Sequence, residues 1–169
     1  MQYQTLLWRI KKGRKKIFSI SHTVVGHDGI GVSVKSMDNY LFHWLNQSMY
    51  DEVFKDTLIV LMSDHGMHFG IPKMTDIGDL EHKLPFMIWL YPKNKLSQHV
   101  NETLIHNEQS LFTLWDFRKT LLSIFNQTYS RSFRFMRSRR NLLLNKISYK
   151  RSCKRARIPQ DRCPCMGDT

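Results

Sequence analysis

The chain predicts an α/β fold, and three observations carry that expectation. Two short, uniformly apolar runs, residues 57–62 and 84–91, have the length and composition of buried strands. Two other stretches repeat apolar residues at helical spacing: Leu41, Trp44, Leu45, Met49 and Val53, then Leu114, Phe117, Leu121, Leu122 and Phe125. With a further short strand near residue 20, the order is strand, helix, strand, strand, helix, which is an α/β pattern with too few strands for a complete doubly wound sheet.

Taken in order, residues 16–21 predict a strand, bounded by a basic run before it and by the Gly26, Gly29 and Gly31 loop after it. Residues 38–54 predict a helix with Ser36 or Asp38 as its N-cap. The run at 57–62 is too short and too evenly apolar for an amphipathic helix, so a buried parallel strand is expected. A loop through Gly66, Gly70 and Gly78 leads to the strand at 84–91, where Pro85 stands near the start and its missing amide is tolerated. The second helix begins at Leu111 or Leu114 and ends at Phe125. Residues 129–152 are too basic to assign, with 141–147 the one helical candidate.

At 169 residues the chain is long enough for one domain, which at this size buries roughly 70% of its unfolded surface. Its net charge of +12 is uneven: +6 over residues 1–16, −4 over 17–128 and +10 over 129–169. Three segments follow, a basic N-terminal piece (1–16), an α/β portion (17–128) and a basic, cysteine-containing tail (129–169). Charged ends of this kind serve either as solvated tails or as contacts for anionic glycans, nucleic acid or membrane surfaces. No nucleic-acid module is recognisable and the middle is acidic, so nucleic acid is not an expected partner.

No apolar stretch approaches the roughly 18–20 residues that span a bilayer, and the first residues do not read as a signal peptide. Yet Cys153, Cys163 and Cys165 crowd into a short segment unable to build its own core, which suits disulfides in an oxidising compartment. Sequons begin at Asn46, Asn101 and Asn126, where chance would supply roughly one. An extracellular or secretory-lumen location is expected, and an odd cysteine count implies a partner outside this chain.

The chemistry centres on Ser63-Asp64-His65-Gly66-Met67-His68, directly behind the strand at 57–62. Carboxylate oxygen and imidazole nitrogen are ligands for zinc or manganese, and open α/β sheets gather ligands at the carboxyl ends of their strands. Asp64 and His65 can serve one centre only if the backbone turns there, which Gly66 permits. A second histidine-bearing loop, 21–28, follows the first strand, and its His27 would be a ligand or a donor to a substrate oxyanion. Glu81, His82 and Lys83 precede the strand at 84, where they form a solvated turn or face the site. Cys163-Pro164-Cys165 is a poor zinc site without further ligands, and disulfide pairing suits it better.

Taken together these segments resemble one family. Residues 57–67 look like the strand and Asp-His-Gly motif of the alkaline phosphatase and sulfatase superfamily. The strings at 63–70, 78–86 and 107–121, and the ending Arg-Ser-Cys, Ala-Arg-Ile-Pro, Cys-Pro-Cys at 151–165, are similar to the sulfatase-like domain of unknown function 229 family. The resemblance implies a partial sulfatase-like sandwich with a parallel-rich sheet flanked by helices. It implies Asp64 and His65 as ligands of a divalent metal (zinc, manganese or calcium), His27 as the upstream active-site histidine, and a sulfate or phosphate ester as substrate. Glu81 matches an acid of the family, while His82 and Arg118 depart from its pattern. It also implies that the half bearing the Ser, Thr or formylglycine nucleophile lies outside these 169 residues, so that the isolated chain is a fragment without covalent catalysis. A non-catalytic secreted protein whose basic ends bind anionic polymers is the alternative.

Overall fold

The computed structural model describes residues 17–26, 32–125 and 139–165. The fold is mixed α/β, and the chain divides into two compact units, residues 1–92 and 93–169.

In the first unit, helix α1 spans Val32–Tyr50. It starts ahead of Asp38 because the expected cap, Ser36, instead donates its hydroxyl to the Ser33 carbonyl at 2.7 Å, a bond made inside a helix. The chain reverses at Glu52, a non-glycine residue in the left-handed region (φ 61°), and passes through a 3₁₀ turn at Val53–Lys55. Of the expected apolar stripe, Val53 is buried but Met49 is exposed.

Strands β1, Ile59–Met62, and β2, Met87–Leu90, form a two-stranded sheet. They pair antiparallel, Ile59 opposite Leu90 and Met62 opposite Met87, which corrects the parallel neighbour expected for residues 57–62. An apolar run specifies a strand but not its direction, and here the chain leaves β1 and returns alongside it. The sheet is also less covered than two apolar runs predict, with Ile88 49% and Met62 37% exposed. Residues 17–21, expected as a strand, join no sheet among the described residues.

Between the strands, where a loop was expected, a 3₁₀ turn at Ile71–Met74 leads into helix α2, Asp76–Lys83. The Thr75 hydroxyl caps it, accepting from the Gly78 amide at 3.0 Å, and Asp76 and Asp79 in its first turn suit the helix dipole. Gly78 is required by close approach, since a Cβ there would stand 1.8 Å from the Pro72 carbonyl oxygen.

In the second unit, helix α3, Gln98–Asn107, is capped by Ser97. Helix α4, Leu114–Phe125, matches the expected span. It opens with a reciprocal cap in which the Asp116 carboxylate accepts from the Thr113 amide at 2.9 Å and the Thr113 hydroxyl accepts from the Asp116 amide at 3.3 Å. Helix α5 is one turn, Cys153–Ala156. Cys153 and Cys163 form a disulfide, and the Cys165 sulfur lies 3.7 Å from that of Cys153.

The core of this unit is polar as much as apolar: Leu142, Ile147, Cys153 and Ala156 are buried beside Thr103, Asn107, Asp116 and Thr120. Asp116 is fully buried and accepts from the Arg140 amide (2.6 Å) and from Arg151 Nη1 (2.8 Å) and Nη2 (3.3 Å). Burial pushes its carboxyl up, but the Arg151 guanidinium and the Arg140 and Thr113 amides outweigh that and hold it below the usual carboxylate value. Asn107 donates to the Leu142 and Asn145 carbonyls, both at 3.0 Å, and accepts from the Ile147 amide at 2.9 Å. One amide side chain thus satisfies three backbone groups that α3 and the 141–147 segment would otherwise bury unpaired.

Candidate functional site

The chain leaves β1 at Ser63, which is fastened to the return strand twice. Its amide donates to the Phe86 carbonyl at 3.1 Å, and its hydroxyl accepts from the Phe86 amide at 3.1 Å. Beyond that clamp the backbone turns at Asp64, His65 and Gly66. A Cβ on Gly66 would stand 2.2 Å from the Glu81 carbonyl oxygen, and the Gly66 amide donates to the His82 carbonyl at 3.3 Å. Only glycine lets the loop lie so close against the end of α2, and that approach brings His82 to the loop.

The turn places Asp64 and His65 on one side. Asp64 Oδ1 accepts from the His65 amide at 3.0 Å, and Oδ2 lies 3.6 Å from His65 Nε2. His65 Nδ1 is 2.7 Å from the Gly66 carbonyl, which makes Nδ1 a donor and leaves Nε2 on the side of the carboxylate. Two ligands on one tetrahedral ion with bonds of about 2.0–2.1 Å stand roughly 3.3 Å apart, so this pair has nearly the spacing of shared ligands.

Two further imidazoles flank it. The His65 ring centroid is 4.8 Å from that of His68 and 5.5 Å from that of His82, and His68 and His82 are 6.1 Å apart. Imidazoles sharing a tetrahedral ion have centroids roughly 5 Å apart by the same bond length. The rings are therefore at suitable separations, although their nitrogens do not converge. Among the described residues the group whose donor atoms all lie within 4.8 Å is Cys153, Cys163 and Cys165, and the disulfide occupies two of those. A carboxylate with several imidazoles fits zinc and, less closely, manganese. It does not fit calcium, which takes six to eight oxygens.

The site is open, with the Asp64 side chain 77% and that of His65 42% exposed. Partial desolvation pushes the Asp64 carboxyl up, but the amides of His65 and Asp64 and the charges of His65 and His22 outweigh it and lower the pKa. His22 belongs to the segment predicted as the upstream histidine-bearing loop, and it comes within electrostatic reach of Asp64. His27 itself lies outside the described residues.

Other candidates are engaged elsewhere. Lys83 pairs with Asp79 at 2.8 Å. Hydrogen bonds from Lys73 and then Lys83 lower the Asp79 pKa to about 2. Glu81 is exposed. Arg118, in the second unit, stands 5.9 Å over the Trp115 ring. The residue that sequence reasoning left without a role is His68, and His82 was only an open candidate. Spacing from His65 hinted at His68, but nothing local showed that α2 would carry His82 back to the loop.

Fold and site together define a mixed α/β protein with a carboxylate and imidazole cluster on the loop after a strand. The chain belongs to the family described as protein of unknown function DUF229, which it matches over residues 3–169. No curated protein and no solved structure matches it.

Proposed function

We propose that the chain is part of a metal-dependent hydrolase of sulfate or phosphate esters, with Asp64 and His65 as metal ligands and His27 as a further ligand or a donor to the ester oxyanion. The supporting observation is the cluster of Asp64 with His65, His68 and His82, in which Asp64 Oδ2 and His65 Nε2 lie 3.6 Å apart. A bound divalent ion supplies Lewis-acid polarisation of an ester oxygen. The Gly66 carbonyl holds the proton on His65 Nδ1, the His65 amide steadies the Asp64 carboxylate, and His68 and His82 are the neighbouring imidazoles. The nucleophile belongs to a portion outside these 169 residues, so the chain alone is not expected to turn over substrate. The half-exposed faces of β1 and β2, and their outer edges, unpaired among the described residues, suit strands that join a larger, parallel-rich sandwich. The disulfide and the sequons support an extracellular or secretory-lumen location, and no helix among the described residues is long and apolar enough to cross a membrane.

The test is equilibrium zinc binding by the full chain, with cobalt(II) absorption as the spectroscopic report. One ion per chain is expected, with affinity reduced at least a hundredfold by Asp64→Ala with His65→Ala. Metal content unchanged in that double variant would sink the proposal. The +10 charge of residues 129–169 favours a second reading, a non-catalytic protein that binds anionic glycans. Salt-sensitive retention on heparin that survives Asp64→Ala, without metal uptake by the parent chain, would select it.

A further inference from the structure

The second unit contains a half-open pocket of about 210 Å³ lined by Arg140, Lys146, Ile147, Ser148, Arg151 and Arg155, of which Arg140, Lys146, Ser148 and Arg155 are exposed. Four of six lining residues are cations, an arrangement that repels itself unless something negative offsets it. Among the described residues only one has a close, buried counter-ion: Arg151 is held by Asp116. Lys146 stands 3.9 Å from Glu102 with both side chains half exposed, a separation and exposure at which an ion pair is weak. Arg140 and Arg155 form no ion pair with any described carboxylate. The Ser148 hydroxyl accepts from the Lys150 amide at 3.2 Å, which leaves its O–H as a donor.

We infer that this cavity is an anion site that takes one tetrahedral oxyanion group, sulfate or phosphate. Its volume is below the roughly 300–1,000 Å³ of pockets that enclose drug-sized ligands, so it suits a single small group. Three cations with weak partners or none, plus a hydroxyl, offer more donors than the two oxygens of a carboxylate can accept. A guanidinium pairs bidentately with an oxyanion, and a lysine adds a point charge. The walls are fixed by contacts that do not use the cavity-facing charges. Ile147 is pinned by Asn107, and its carbonyl accepts from Ser110 at 3.1 Å. The turn bearing Arg155 is held by the Cys153–Cys163 disulfide and by Arg139, which donates to the Ala156 carbonyl at 2.8 Å. The site does not depend on a metal at Asp64 and His65, and it is distinct from diffuse attraction to the overall +10 charge of residues 129–169.

A small probe separates it from that diffuse attraction, because a single oxyanion cannot span many dispersed cations. Calorimetric titration of the full chain with inorganic sulfate, inorganic phosphate and glucosamine 6-sulfate, at constant ionic strength, should give saturable binding of one equivalent. Arg140→Gln with Arg155→Gln should weaken it at least tenfold. Lys150→Gln with Lys154→Gln, exposed cations outside the lining, should change it less than twofold, and both doubles should melt within a few degrees of the parent. Binding by the sugar sulfate well above the free ions assigns the group to a glycan, and equal binding assigns it to the free ion. Equal losses in the two doubles, or no saturable binding of any probe, overturns the site.

Discussion

In residues 93–169, Asp116, Thr103, Thr120 and Ile147 are fully enclosed, and most of their polar atoms meet a named partner. In residues 1–92 the side chains that would be a core stand in the open: Ile71 is 80% exposed, Ile77 72% and Phe86 55%. Both halves have ordinary helices and caps, so local structure is not what distinguishes them. The difference is in what closes them. The second unit is closed by hydrogen bonds among its own residues, whereas the first holds its candidate site on a sheet whose faces are partly exposed. A site can thus be locally built, by one glycine and one clamp, on a scaffold with exposed apolar faces.

The comparison breaks most directly at Asp116. Asp116→Ala leaves Arg151 buried at 8% side-chain exposure without its counter-ion. A loss of about 3–5 kcal/mol is expected, read as an early denaturant transition in the second unit with amides of α2 unaffected in hydrogen exchange. Acid should act in the same place. The folded Asp116 pKa is depressed, so its stabilisation is fully present above the ordinary carboxylate value of about 3.9 and is lost as pH falls through the lower folded value. Unfolding of residues 93–169 on acidification should therefore be blunted in Asp116→Asn relative to its own neutral-pH stability.

A smaller effect is expected at Gly66. Gly66→Ala drives a Cβ into the Glu81 carbonyl and should cost about 1–3 kcal/mol. Metal affinity would fall as His82 separates from His65, with the second unit's melting unchanged. Thr75→Ala removes the α2 cap and should cost about 1 kcal/mol, read as faster exchange at the Gly78 amide. Smallest of all, Ile88→Thr on the open sheet face should change stability by less than about 0.5 kcal/mol. A core-sized loss of stability there would mean that the face is already covered.

Which elements were legible follows from the same contrast. β1, β2 and α4 were readable because apolar runs and a helical stripe mark them. Helices α2 and α3 were not, since they rest on Thr75 and Ser97 caps and on contacts made by Asn107 and Thr103, which look like surface residues in a sequence. Asp116 and Thr120 were equally hidden, because a polar core has no hydrophobic period to betray it. Strand direction escaped because residues 57–62 and 87–90 are apolar either way. Of the site, Asp64 and His65 were visible from their place behind a strand. The approach of His82 was not, because it depends on a helix that Gly78 disguised as a loop and on the space that Gly66 leaves.

The pair of hydrogen bonds between Ser63 and Phe86 makes the path from one strand to the other a closed ring with a fixed gate. Asp64 and His65 stand just inside the gate on one side, and His82 returns near it on the other, held by Gly66. The spatial relation of these residues is therefore uncoupled from the number of residues between them. Doubling a flexible loop costs only about 0.6 kcal/mol in closure entropy. The stretch after His68, between Phe69 and Ile71, is then a free length parameter, where an insertion changes what overhangs the cluster without changing the cluster. A lengthened variant with unaltered metal affinity and an unaltered melting temperature would be its signature.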